Sequence, residues 1–248
     1  GSGGTVYYTT DPETIPKSSY FYTRLQLDIA GNLLSAFKGV MKKDENGAGM
    51  IWNTPFSQFV RAEATIGKTW IWGRNSGQSI ATRFVAGAGH AYGNSNALPF
   101  EKHFYAGGAN SLRGWQARTV GPGTSARDTS FVIPNQTGDM RLEANVEYRF
   151  DIVWKLEGAV FADAGNVWTL KQKDVAVEDG SMFRWNTLGE SIAANWGLGL
   201  RLNLDFLLLR IDAGFKVHDP ARTNKWVGPD QWFRRNGYAI HFGVGYPF

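Results

Sequence analysis

The chain has 248 residues, 14% of them aromatic, with 30 glycines, a formal charge of +4 and a mean hydropathy of -0.30. The absence of cysteine excludes a disulfide framework and a thiolate metal site, and the absence of any long apolar run excludes a membrane-spanning helix. A small positive charge without a concentrated lysine or arginine face speaks against nucleic acid as a partner.

The opening GSGGTVYYTTDPETIPKSSY has no basic end leading into an apolar stretch, so it does not read as a signal peptide. TVYYTT within it is a candidate strand. Weaker period-two alternation follows at 20–30, 57–68 and 78–92, and HFYAGGA at 103–109 reads as a further short strand. ANSLRGWQAR at 109–118 breaks the alternation and reads as a loop. From there the pattern is strong. In MRLEANVEYRF, Leu142, Ala144, Val146 and Tyr148 alternate with Arg141, Glu143, Asn145, Glu147 and Arg149. WKLEGAVFADAGNVW, IAANWGLGLRLNL and FLLLRIDAGFKVH repeat it, and GYAIHFGVGYPF carries it to Phe248.

Two architectures use such two-faced strands. A soluble sandwich buries the apolar faces, whereas an outer-membrane barrel turns them to lipid and lines a wet lumen with the polar ones. Segment length favours the barrel, because roughly 9–11 residues match a tilted bilayer crossing and exceed the ~5–6 usual in soluble sheets. Trp154, Trp168, Tyr148, Phe150, Tyr246 and Phe248 lie near strand ends, where an interfacial girdle belongs. Connections also alternate, short near 151–154 and 204–206 and long at 169–190 and 219–237.

The reading is therefore all-β, an antiparallel transmembrane β-barrel over 1–248. It has about nine strands, or ten if TVYYTT pairs, and Phe248 lies at the periplasmic rim. Single-chain barrels usually close with an even number, so the chain reads as part of a larger one. By this count 31–56 falls on the short-turn side despite its length. Leu33, Leu34, Phe37, Val40 and Met41 predict a brief amphipathic helix over 32–42. It either lies on the membrane surface or covers the barrel end, and the second reading is preferred.

Four motifs in order resemble the BamA/TamA-like outer-membrane assembly factors, the bacterial surface antigen family. They are SLRGW in a long loop, RLEANVEYRF, FADAGNVW, and the terminal HFGVGYPF. FEKHFYAGGANSLRGW followed by QARTVGPG is most similar to the TamA-like branch of Bacteroidetes-type bacteria. The resemblance implies an inward-folding loop at 110–137 with Leu112, Arg113, Gly114 and Trp115 as its motif. It implies Glu143 and Asp163 as lumen partners of Arg113, since a planar five-donor guanidinium can bond two carboxylates at once. It also implies a terminal-strand signal and seam at Tyr238, Phe242, Gly243, Gly245, Tyr246, Pro247 and Phe248, with Pro247 lying where the last pair would close. Barrels of this family close with roughly sixteen strands, within the known range, and carry periplasmic domains ahead of them. Neither the first strands nor those domains is evident in this sequence.

His90, His103, His218 and His241 share no metal spacing, and no nucleophile elbow, phosphate loop or zinc helix occurs. No catalytic residue, cofactor or metal is expected. The resemblance implies residence in the outer membrane amid its lipid, with nascent β-barrel proteins as clients and periplasmic or lipoprotein partners. A passive channel and a two-partner secretion transporter stay open as alternatives, although a stripe of mixed charge suits cross-linking better than a selectivity field.

Overall fold

A computed structural model describes residues 2–13, 18–37, 39, 41–45, 47–73, 77–126, 136–171, 178–204 and 206–248. The strands are β1 (Ser2–Thr9), β2 (Tyr20–Ala30), a small hairpin of β3 (Met50–Ile51) and β4 (Thr54–Pro55), β5 (Phe59–Trp72), β6 (Gln78–Ala91), β7 (Met140–Val153), β8 (Leu156–Trp168), β9 (Ala193–Asn203), β10 (Leu208–His218) and β11 (Tyr238–Val244). Apart from the hairpin, nine strands form one sheet, each antiparallel to its neighbours and ordered β1-β2-β5-β6-β7-β8-β9-β10-β11. Among the described residues, β1 and β11 are its two edges.

The faces are inverted relative to a soluble protein. Val146, Val160, Leu198, Leu200, Leu209 and Ile211 are exposed, while Glu143, Asn145, Glu147, Asp163, Arg201, Arg210 and Asp212 on the same strands are buried. A sandwich would do the reverse, so this pattern selects the barrel. The sheet curves around a central loop, because Asn110 is held from β6 by Arg83 and from β10 by Arg210. An apolar cluster of Phe104, Ala106, Leu112, Trp115 and Val120 from that loop, with Val167 and Ala193 from the wall, fills the interior.

Several expectations are corrected. Residues 103–109 are not a strand of the wall. They make only isolated bridges, Phe104 to Gly138 and Ala106 to Val120, inside the loop between β6 and β7. Removing that crossing puts 31–58 on the long-loop side with the others, so its length is no anomaly. TVYYTT does pair, as β1 on β2. The predicted helix over 32–42 is reduced to α1 (Asn32–Ser35), which buries none of its own residues; Val40 lies outside the described residues. Trp168 is not at an interface. It is fully buried and donates from Nε1 to Ser191 Oγ at 3.0 Å.

The last strand also stops short. β11 pairs with β10 as far as Leu209↔Val244, and Gly245 turns the chain at φ +77°, after donating its N–H to Leu208 O at 2.8 Å. β10 begins at Leu208, so Tyr246, Pro247 and Phe248 have no strand to follow on that side. They fold into the lumen instead. Tyr246 Oη donates to Glu157 Oε2 at 2.9 Å, and Arg149 Nη2 donates to Phe248 O at 3.2 Å. Pro247 is thus buried beyond the ladder, not at a closing pair.

Candidate functional site: a loop seated in the lumen

The loop between β6 and β7 re-enters the barrel because its backbone is built to turn and its tip to be bound. Gly107 and Gly108 have φ of +97° and +105°, conformations that only glycine adopts without strain. Gly108 N–H donates to Trp115 O at 3.0 Å, closing the tip. Leu112 and Trp115 then fall into the apolar cluster and leave Arg113 between them, pointing at the wall.

Arg113 is completely buried. Its Nε and Nη2 donate to Asp163 Oδ2 and Oδ1 at 3.0 and 2.9 Å, a fork-to-fork pair, and its backbone N–H adds a third bond to Oδ2 at 3.1 Å. Nη1 bonds Glu147 Oε2, and the guanidinium carbon lies 3.5 Å from the centroid of the Phe161 ring. Burial alone would lower the Arg113 pKa, but the charges and hydrogen bonds of Asp163 and Glu147 outweigh it and leave the pKa raised. The cation is permanent.

The wall completes the seat. Asp163 also accepts from Asn145 and Asn195 at 2.9 and 3.0 Å. Glu147 accepts from Arg149 Nε at 2.7 Å and Arg201 Nη2 at 3.0 Å. Asp212 pairs with Arg210 Nη1 at 2.6 Å and Arg201 Nη1 at 2.7 Å. The latter is an ion pair with poor hydrogen-bond angles, since neither Arg201 Nη1 nor Asp212 Oδ1 has a directed partner. His241 of β11 contacts Arg113 O through Nε2 at 3.1 Å. Rings cover the remaining positive charge: Tyr246 lies 4.0 Å from Arg149, and Phe248 4.9 Å from Arg83.

Glycine makes the close approach possible. A Cβ on Gly214 would stand 2.2 Å from Arg113 O, and one on Gly114 2.7 Å from Asn195 Cβ. Both positions must be bare for the loop backbone to lie against β9 and β10.

Of the expected partners, Asp163 meets Arg113 and Glu143 does not. Glu143 instead accepts from Ser111 Oγ and pairs with Arg83 and Arg141 at 3.4 and 2.7 Å, so it holds the loop one step away from the arginine. The second carboxylate on Arg113 is Glu147. Asp163 stands opposite Asn145, and Glu143 and Glu147 flank Asn145 on the same inward face. Alternation offers both equally, and only the register and the depth of the loop choose between them. Sequence reading also passed over Gly214, Arg201 and Asp212, although their inward parity was visible. Tyr238 and Phe242 face outward from β11, while a Cβ on Gly243 would meet Arg210 Nε at 2.6 Å.

The model of the Omp85 superfamily domain matches residues 2–248. The chain belongs to the Omp85 superfamily. As an Omp85 chain it is an integral β-barrel of the outer membrane, in agreement with its apolar outer face. It is 27% identical over 125 residues to outer membrane protein assembly factor BamA of Neisseria meningitidis serogroup B, a match covering 48% of this chain and 15% of that protein. The crystal structure of BamA from Haemophilus ducreyi lacking POTRA domains 1-3 shares the fold with a TM-score of 0.53 at 13% identity, covering 98% of this chain and 53% of that one. This Omp85 chain therefore spans about half of that structure and a smaller share of the curated relative.

Proposed function

We propose that this Omp85 chain is the barrel portion of an outer-membrane protein assembly factor, inserting nascent β-barrel clients with periplasmic or lipoprotein partners and without catalytic chemistry of its own. The observation that carries the reading is the seat of Arg113. A loop bonded from β6, β7, β8, β10 and β11 cross-links the lumen and occupies the path a passive channel needs. Similarity to a protein named as an assembly factor supports the same reading.

The mechanism rests on edge chemistry. β11 has seven residues where β10 has eleven, and among the described residues it pairs only with β10. An edge of that kind presents backbone N–H and C=O groups that an incoming strand can bond without exposing its own to lipid. The loop, anchored on β10 and touching β11 at His241, stiffens the wall from inside while the edge stays free to template.

The test is assembly of a reporter barrel protein in cells whose sole full-length copy carries Arg113→Ala, with its abundance followed in parallel. Removing one partner from a buried charge network costs on the order of 3–5 kcal/mol, so assembly is expected to fall at near-normal abundance. Arg113→Lys is expected to fail as well, because a point charge cannot make the fork to Asp163 and reach Glu147 together. Normal assembly with Arg113→Ala would remove the loop from the mechanism.

A further inference from the structure

The loop between β2 and β5 carries apolar side chains that stand exposed among the described residues. Trp52 is 98% exposed, Leu33 79% and Phe37 57%. Trp52 sits at the tip of the β3–β4 hairpin, where Ile51↔Thr54 is the closing pair. Both tip residues are left-handed, Trp52 at φ 47° and Asn53 at φ 62°, the combination a two-residue type I′ turn requires. Asparagine suits that conformation, whereas a bulky residue there is an outlier that costs of order 1–3 kcal/mol. The hairpin base is firm. The Asn94 side chain bonds Gly49 N and O at 2.7 and 3.0 Å and Phe56 O at 2.9 Å. A strained turn on a fixed stem thus holds an indole away from the protein.

The start of the loop is held on the outward side of the rim. Tyr92 N–H donates to Gln58 O at 3.1 Å, which extends the β5–β6 ladder one pair past Phe59↔Ala91. Gln58 and Tyr92 therefore share the outward parity of Val60 and His90, and the Tyr92 ring stacks with that of His90, centroids 6.5 Å apart. Both hold Asn32, the first residue of α1: Tyr92 Oη donates to Asn32 Oδ1 at 2.6 Å and Gln58 Nε2 at 3.2 Å. This end of the barrel bears the long loops, which in outer-membrane barrels face outside.

We propose that Leu33, Phe37 and Trp52 form an anchor in the outer leaflet, inserted at the membrane–water interface with Lys42 and Lys43 facing anionic lipid headgroups. Tryptophan at headgroup level and lysines that keep their charge in water are the chemistry of such a surface. Lys43 bridges to Gly49 on the hairpin stem. Of the two neighbouring acids, Asp44 is engaged by Ala48 N–H at 2.7 Å and Glu45 is the remaining opposing charge. The anchor would fix the barrel's depth and tilt on the β2–β5 side. This inference rests on the membrane location and is independent of the assembly activity.

The chain has no cysteine, so a single thiol can be placed at will. Full-length protein with Trp52→Cys or Leu33→Cys, in a background free of other reactive thiols, is labelled with an environment-sensitive fluorophore. It is reconstituted in phosphatidylethanolamine–phosphatidylglycerol vesicles and quenched either by headgroup-nitroxide lipid or by aqueous iodide. Thr223→Cys, exposed in the loop between β10 and β11, is the aqueous reference. The anchor predicts several-fold stronger lipid quenching and several-fold weaker iodide quenching at 52 and 33 than at 223. Iodide access equal to that at 223 would overturn it. Shielding from both quenchers would overturn it too, by showing a protein cover in place of lipid.

Discussion

Arg113 gains its position from atoms that carry no charge as much as from those that do. Asp163 and Glu147 supply the attraction, but Gly214 supplies the space, with Arg113 O 2.2 Å from where its Cβ would be. Gly214→Ala is therefore expected to unseat the loop while leaving every ionic partner intact. Its signature is new protease cleavage within 109–118 in outer-membrane preparations, together with an assembly defect close to that of Arg113→Ala. The same residue marks the limit of sequence reading. An arginine beside glycine and tryptophan in a long loop was legible as a candidate, and so was Asp163. The choice of Glu147 over Glu143 was not, because both lie on one face and the alternation that places them there is silent about depth.

The elements repeat this division between pattern and register. β7 to β10 were readable because each alternates without a break, and their inward charges pair with one another along the lumen wall. The stretch at 103–109 alternates as well, yet it folds inside as part of the loop, since its partners are Gly138 and Val120 and not a neighbouring strand. Period two reports a face, not membership of the wall. At the chain's end the same pattern overran the ladder. Gly245 bends the tail inward, and burial together with the charge of Glu157 pushes the Tyr246 phenol up, so it stays neutral and donates across the lumen. Gly245→Val places a β-branched residue at φ +77°, where such residues are strained. The tail is expected to leave its seat, with greater hydroxyl-radical labelling of Tyr246 read by mass spectrometry.

Across the whole molecule, polarity runs inside out, and stability follows the solvent on each side. Val146 lies mid-strand on the outer face of β7. Val146→Arg is expected to cost about 2–4 kcal/mol in a lipid bilayer, measured by urea titration of the full-length protein in vesicles. Inside, the wall and the loop form one bonded unit, and the chain's role as an assembly factor is proposed on that unit. The most direct test of the seated loop is thiol access at Ser111, a buried position at the loop tip where cysteine is close to isosteric. A loop clamped in the lumen predicts that Ser111→Cys in native outer membranes is protected from an aqueous maleimide, while Thr223→Cys, exposed in the loop between β10 and β11, is labelled to completion. If Ser111→Cys reacts as fast as Thr223→Cys in a folded barrel, the loop is not seated and the account is contradicted.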